Sequence, residues 1–252
     1  MKETLKIRSD MMDYFGYASP AQLLRETCNS VAKEGELEGV DFRRLMPAIG
    51  ATRMMGQVVL EFLAPAMMGM EVELQTLPHE EFGVASVYRS SISHNGVELM
   101  RASTKILTVY FQERKVVPAE ALAPFWKIPA SPCGEPIEFI QLPKDLELAE
   151  TYVVRYRDCD ANRHMTAFRY VELVCELVGY WGEHMHQIRR MQVDYRSECL
   201  PGDTLQLYHG VRDGVHYVTG IHGNGRQSFA ASVELEPEET VRLKDQESLQ
   251  MK

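Results

Sequence analysis

The chain has 252 residues, 45% of them hydrophobic and 25% charged, enough for one large globular domain or two small ones. A net charge of −9 argues against general nucleic-acid binding, and no apolar run approaches the ~20 residues that span a bilayer. The start, Met1-Lys-Glu-Thr-Leu-Lys-Ile-Arg8, has no apolar signal core, and the five cysteines (28, 133, 159, 175, 199) never fall at C-x-x-C spacing, so reduced thiols in the cytoplasm are expected rather than a disulfide framework.

A short extended lead-in comes first. A helix then opens with Ser19 as N-cap and Pro20 at its first position, with Leu24, Cys28 and Val31 recurring at i, i+4, i+7. Strand-like runs follow at 58–63, 70–77, 84–93 and 99–111, with His94-Asn95-Gly96 as a turn signal. Residues 117–150 hold six of the twelve prolines, which predicts a stiff, extended connector. A second lead-in leads to a helix capped by Thr166 and carrying Tyr170, Leu173, Val174, Leu177, Val178 and Trp181, apolar on most faces and so deeply buried. Strand-like runs at 190–197, 204–211, 215–221 and 228–235 come next, separated by Pro201-Gly202-Asp203, Asp213-Gly214 and Asn224-Gly225. The polar residues from 237 onward read as a frayed tail or a short surface helix.

The two halves repeat each other. Ile7-Arg8 placed over Val154-Arg155, an offset of 147, brings Asp13 onto Asp160 and Cys28 onto Cys175. Glu61-Phe62 falls on Asp194-Tyr195 and Gly69 on Gly202 at an offset of 133. Gly96 falls on Gly225, and Ala102-Ser103 on Ala231-Ser232, at an offset of 129. The offset falls stepwise, as longer loops in the first copy would cause. Each copy reads as a lead-in, one helix and several antiparallel strands. The expected class is therefore α+β, a double hotdog whose two sheets join edge to edge and protect each other's open strand. The expected division is an N-terminal hotdog at 1–117, a Pro-rich linker at 118–150, a C-terminal hotdog at 151–237 and a tail at 238–252.

Chemistry concentrates in the second copy. Arg155-Tyr-Arg-Asp-Cys-Asp-Ala-Asn-Arg-His164 places Asp160, Asn162 and His164 at alternate positions, which share one face if the segment is extended. The helix start after it offers backbone N–H groups suited to a developing oxyanion. Between 155 and 196 stand seven arginines, no lysine and six acids, a local +1 that could form a basic rim for an anionic carrier. His184 and His186 lack a third ligand at fitting spacing, and no metal or cofactor is expected. The chain has no P-loop, no G-x-G-x-x-G after a strand and no G-x-S-x-G.

These residues resemble the acyl-acyl carrier protein thioesterases. That family's Arg-x-x-Asp-x-Asp-x-Asn-x-His pattern is present as Arg155, Asp158, Asp160, Asn162 and His164, and its Tyr-Arg-x-Glu-Cys as Tyr195, Arg196, Glu198 and Cys199. The family usually continues His-x-Asn-Asn, where this chain has His164-Met-Thr-Ala167. In the first copy the positions matching Asn162, His164, Glu198 and Cys199 hold Phe15, Tyr17, Pro65 and Ala66, so one active site per chain is expected. The resemblance implies hydrolysis of fatty acyl-acyl carrier protein, with acyl carrier protein and the acyl chain as partners, no nucleic acid or membrane, and a monomer or homodimer. Catalysis would fall to Asp160, Asn162, His164, Glu198 and Cys199, and carrier or substrate contacts to Arg155, Arg157, Arg163, Thr166 and Arg196. In this reading Glu198, its pKa raised by partial burial, activates water, and Asn162 orients the water or the carbonyl. His164, held by Asp160, donates to the carbonyl or the leaving sulfur, and amides near 165–167 complete the oxyanion site. Cys199 as nucleophile with His164 as its base is the alternative. Met11, Met12, Met54, Met55, Met67 and Met68 could line the acyl pocket or simply fill the core. An acyl-CoA thioesterase and a catalytically silent acyl-binding hotdog are the rival functions.

Overall fold

The computed structural model describes residues 1–132, 134–179 and 188–236. Cys133, Trp181, His184, His186 and the tail from 237 lie outside the described residues. In chain order the elements are β1 (Lys2–Lys6), α1 (Pro20–Glu38), α2 (Phe42–Ile49), β2 (Ala51–Phe62), β3 (Glu71–Thr76), β4 (Glu80–Phe82), β5 (Ala85–His94) and β6 (Val97–Tyr110). They continue with β7 (Lys115–Val116), α3 (Ala119–Leu122), β8 (Glu147–Val153), α4 (Ala167–Leu177), β9 (Ile188–Tyr195), β10 (Thr204–Arg212), β11 (Val215–His222) and β12 (Gln227–Leu235).

The strands form one antiparallel sheet in the order β1-β3-β5-β6-β2-β9-β12-β11-β10-β8, with β4 added to β5 and β7 to β6. The order reads the same from either edge once β8, β10, β11, β12 and β9 are matched to β1, β3, β5, β6 and β2. Register carries the sequence repeat to the residue. Leu5 lies opposite Val72, and Tyr152 and Leu205, displaced by 147 and 133, lie opposite each other. Glu61 faces Arg101, and Asp194 faces Ala230, displaced by 133 and 129. Even the irregularity between Ile92 and Ser93 recurs between Gly220 and Ile221. The fold is the α+β double hotdog.

Helix α1 begins as its sequence demands: the Ser19 side chain accepts from the Gln22 N–H, and Pro20 occupies the first turn. It ends at Gly39, whose φ of 85° closes the helix in the left-handed region. Helix α2 escaped the sequence reading because Pro47 sits inside it; its real signals are Asp41, which caps Arg43 N–H, and Gly50 at φ 66°. Strand β2 starts at Ala51, ahead of the expected 58, since its first residues follow α2 directly. The proline-rich connector is not extended throughout; it opens with α3 and a 3-10 turn at Ala123–Phe125.

Helices α1 and α4 pack together against the sheet. Leu24, Leu60, Val171, Val174, Met191 and Phe229, all buried, belong to one continuous core that crosses both halves. The halves meet where β2 pairs with β9, from Gln57 opposite Asp194 to Glu61 opposite Arg190. Asp194 is fully buried there, and its carboxylate accepts from Gln57 Nε2 (2.8 Å), Gln192 Nε2 (3.0 Å), the Ile140 N–H (2.8 Å) and Arg196 Nη2 (3.3 Å). Gln57 and Gln192 also donate to the Glu138 carbonyl, so the connector is stitched over the seam. Four donors on one buried carboxylate offset its desolvation.

Candidate active site

The segment from 160 to 164 is a tight turn, not an extended strand. The Asp160 N–H donates to the His164 carbonyl (3.1 Å) and the Arg163 N–H to the Asp160 carbonyl (2.9 Å), with Arg163 at φ 67°. Cys159 and Met165 bridge across its base. Asp160, Asn162 and His164 are gathered by chain reversal rather than by alternation. The Asp160 carboxylate accepts the Asn162 N–H at 2.8 Å, closing an Asx turn. It therefore shapes the turn and does not hold the His164 ring, the role the sequence reading gave it. The Met165 N–H donates to the Cys199 carbonyl (2.8 Å), which ties the turn to the segment carrying Glu198.

Asp160, Asn162, His164 and Glu198 share the wall of a cavity of about 1120 Å³, whose other wall includes Cys28 and Val31 of α1 and Met54 and Met55 of β2. That volume suits a long apolar ligand with a polar end. A carbonyl only accepts, so the contact of His164 Nδ1 with the Met165 carbonyl (3.2 Å) puts the ring proton on Nδ1. Nε2 is left buried with no partner. Buried polar atoms are nearly always paired, so an orphan in a residue that lines the cavity marks a candidate place for a ligand to complete the bonding. Glu198 is not activated by deep burial: its side chain is 30% exposed and pairs with Arg114 Nη1 at 3.2 Å.

At the start of α4 the Met165 N–H is taken by Cys199, and the Thr166 N–H by the Asp158 carbonyl (2.9 Å). The oxyanion donors left are the first-turn amides of Ala167 and Phe168, both lining the cavity. Thr166 stands at the N-cap position, but its hydroxyl makes no capping bond. Asp158 is the hub beneath the turn, accepting from Tyr152 Oη (2.6 Å) and the Arg155 N–H (2.7 Å) and pairing with Arg169 (3.2 Å).

Cys199 does not reach the cavity wall. It is fully buried, with Sγ 2.8 Å from Ser228 Oγ and 3.8 Å from His222 Nε2, and burial pushes its thiol up. Such a thiol is a poor nucleophile. Cys28 does line the cavity, and burial pushes its thiol up to about 12. Of the expected arginine rim, Arg155, Arg157 and Arg163 are exposed and stand outside the cavity lining. Arg196 lines it but is committed to Asp194 and to the Ile140 carbonyl (3.1 Å). The other cavity arginines are Arg25, Arg43, Arg53, Arg114 and Arg226, four of them from the first half. No local motif announces these; only the fold brings them to the second half's site. Of the six methionines, Met54 and Met55 line the cavity, Met11 is buried core, and Met68 is 64% exposed. Among the described residues no cluster of three or more His, Cys, Asp or Glu could hold a metal ion, and no helix is long and apolar enough to cross a membrane.

Residues 143–246 match the family model described as the acyl-ACP thioesterase C-terminal domain. The fold is shared with an acyl-ACP thioesterase from Bacteroides thetaiotaomicron at a TM-score of 0.76 and 17% identity, covering 94% of this chain and 97% of that one. It is also shared with the 12:0-ACP thioesterase of Umbellularia californica at a TM-score of 0.79 and 18% identity, with the same coverage. A search of curated proteins found no match.

Proposed function

Because residues 143–246 match the acyl-ACP thioesterase C-terminal domain, we propose that the chain hydrolyses the thioester of fatty acyl-acyl carrier protein (ACP), releasing free fatty acid and ending chain elongation. The observation that carries the reading is that His164, whose buried Nε2 has no partner, lines one cavity with Asn162 and Glu198. In this mechanism the acyl chain lies between α1 and β2, and the thioester carbonyl sits at the start of α4. Glu198 takes a proton from water as the water oxygen attacks the carbonyl carbon, with Asn162 orienting the water. The negative charge that develops on the carbonyl oxygen is met by the Ala167 and Phe168 amides and the positive helix end. The tetrahedral intermediate then expels the thiolate. The proton that Glu198 took from the water passes through His164 Nε2 to the departing sulfur, which leaves both side chains as they began.

Three of the six described cavity arginines, Arg43, Arg114 and Arg196, pair with acids, and Arg25, Arg53 and Arg226 support an anionic carrier in an otherwise acidic chain. The test is thiol release from octanoyl-, lauroyl- and palmitoyl-ACP, and from the same acyl groups on CoA. A higher kcat/KM on ACP is expected. Equal or higher kcat/KM on CoA would move the assignment to an acyl-CoA thioesterase, and tight acyl binding without turnover would make the protein a silent binder. Each methylene buried contributes ~0.8 kcal/mol, so preference should change by roughly fourfold per carbon until the cavity is filled.

A further inference from the structure

We propose that Arg114 of the first half is a positioning residue for the reaction carried by the second, fixing the Glu198 carboxylate against the attacking water; this rests on the reading of Glu198 as the base. Glu198 lies in an irregular segment after β9, and among the described residues its side chain has one polar partner, Arg114 Nη1 at 3.2 Å. Arg114 is mounted rigidly. It closes the turn between β6 and β7, its N–H donating to the Tyr110 carbonyl (2.9 Å), while the Phe111 N–H donates to the Gly50 carbonyl (2.8 Å) at the end of α2. The guanidinium lies 4.6 Å over the Phe111 ring. Its backbone sits at φ 55°, a conformation glycine or asparagine would adopt at less cost. Both members of the pair line the cavity.

The pair has little to do with stability. With side-chain exposures of 38% and 30%, an ion pair contributes close to nothing to folding. Its effect lies in geometry, because a carboxylate free to rotate spends most of its time away from the water it must deprotonate. The first half, which lacks the catalytic motif, is therefore needed for the chemistry as well as for the acyl pocket.

The experiment compares wild type, Arg114→Ala, Arg114→Lys, Glu198→Gln and the Arg114→Ala/Glu198→Gln double variant on lauroyl-ACP, with thermal unfolding of each. Arg114→Ala is expected to lower kcat by about 10- to 100-fold with KM and Tm nearly unchanged. Arg114→Lys should recover part of the rate, and millimolar methylguanidinium should raise the rate of Arg114→Ala but not of Glu198→Gln. In the Glu198→Gln background, removing Arg114 should cost nothing further. Full activity in Arg114→Ala, a loss confined to KM, or equal losses in both backgrounds would overturn the proposal while leaving the thioesterase reading intact. A wild type that releases no thiol from any ester would overturn both.

Discussion

The turn at 13–17 and the turn at 160–164 are the same structure with different side chains. In each, the Asp N–H donates to the carbonyl four residues on, at 2.7 Å for Asp13 to Tyr17 and 3.1 Å for Asp160 to His164. Each carboxylate accepts the amide two residues on, Phe15 at 2.9 Å and Asn162 at 2.8 Å. The amide before each helix cap donates to the matching strand end, Ala18 to the Ala66 carbonyl at 2.7 Å and Met165 to the Cys199 carbonyl at 2.8 Å. The caps themselves, Ser19 and Thr166, both donate backbone N–H groups at 2.9 Å, to the carbonyls of Met11 and Asp158. What differs is Phe15, Tyr17 and Pro65 on one frame, against Asn162, His164 and Glu198 on the other. The frame is therefore not the catalyst. The turn aspartate belongs to the frame, and the proposed chemistry is added at three positions the frame already presents.

The largest effect should separate the occupants of the two frames. His164→Ala is expected to lower kcat by about 10²- to 10⁴-fold, while Tyr17→Phe leaves it unchanged; thiol-release assays on lauroyl-ACP decide. The two aspartates come next. Asp13→Ala and Asp160→Ala should each cost about 1 kcal/mol of stability in denaturant unfolding, but only Asp160→Ala should also slow turnover. Asp160→Asn, which keeps the acceptor and loses the charge, should keep most of the rate; a collapse as deep as that of His164→Ala would show that the charge itself acts. A smaller effect is expected at Cys199, where Cys199→Ala should keep kcat within a few-fold and no acyl-enzyme should be trapped, the site losing only about 1 kcal/mol of packing. The smallest is Arg163→Gly. Gly16 holds the matching position at φ 83° and Arg163 holds it at φ 67°, so glycine should relieve up to about 1 kcal/mol of strain and raise Tm slightly.

The duplicated architecture was legible because its signals are local and repeated. Ser19-Pro20 and the turn glycines fixed where elements begin and end, and the three offsets anticipated strand register. The candidate site was read as a set of residue types, and its geometry was misread. Alternating Asp160, Asn162 and His164 looks extended until the Asx turn and the left-handed Arg163 reverse the chain, and no periodicity test sees that. Asp158, one residue among several acids in the motif, proved to be the buried hub, a property that depends on Tyr152 and Arg169 arriving from separate elements. The cavity arginines of the first half, Arg114 above all, were invisible for the same reason. Their meaning comes from the β2–β9 seam, which places a loop of one half over the segment after β9 of the other.

That seam makes the chain its own dimer partner. Two separate hotdogs pairing through one edge would associate more or less completely as protein concentration changed. Here the partner edge is tethered, and the connector is bonded over the joint through Asp194, Gln57 and Gln192. The second edge is supplied at an effective concentration set by the chain and not by the solution. The two halves consequently stay matched one to one at any dilution, and the joint between them should melt at a temperature independent of protein concentration.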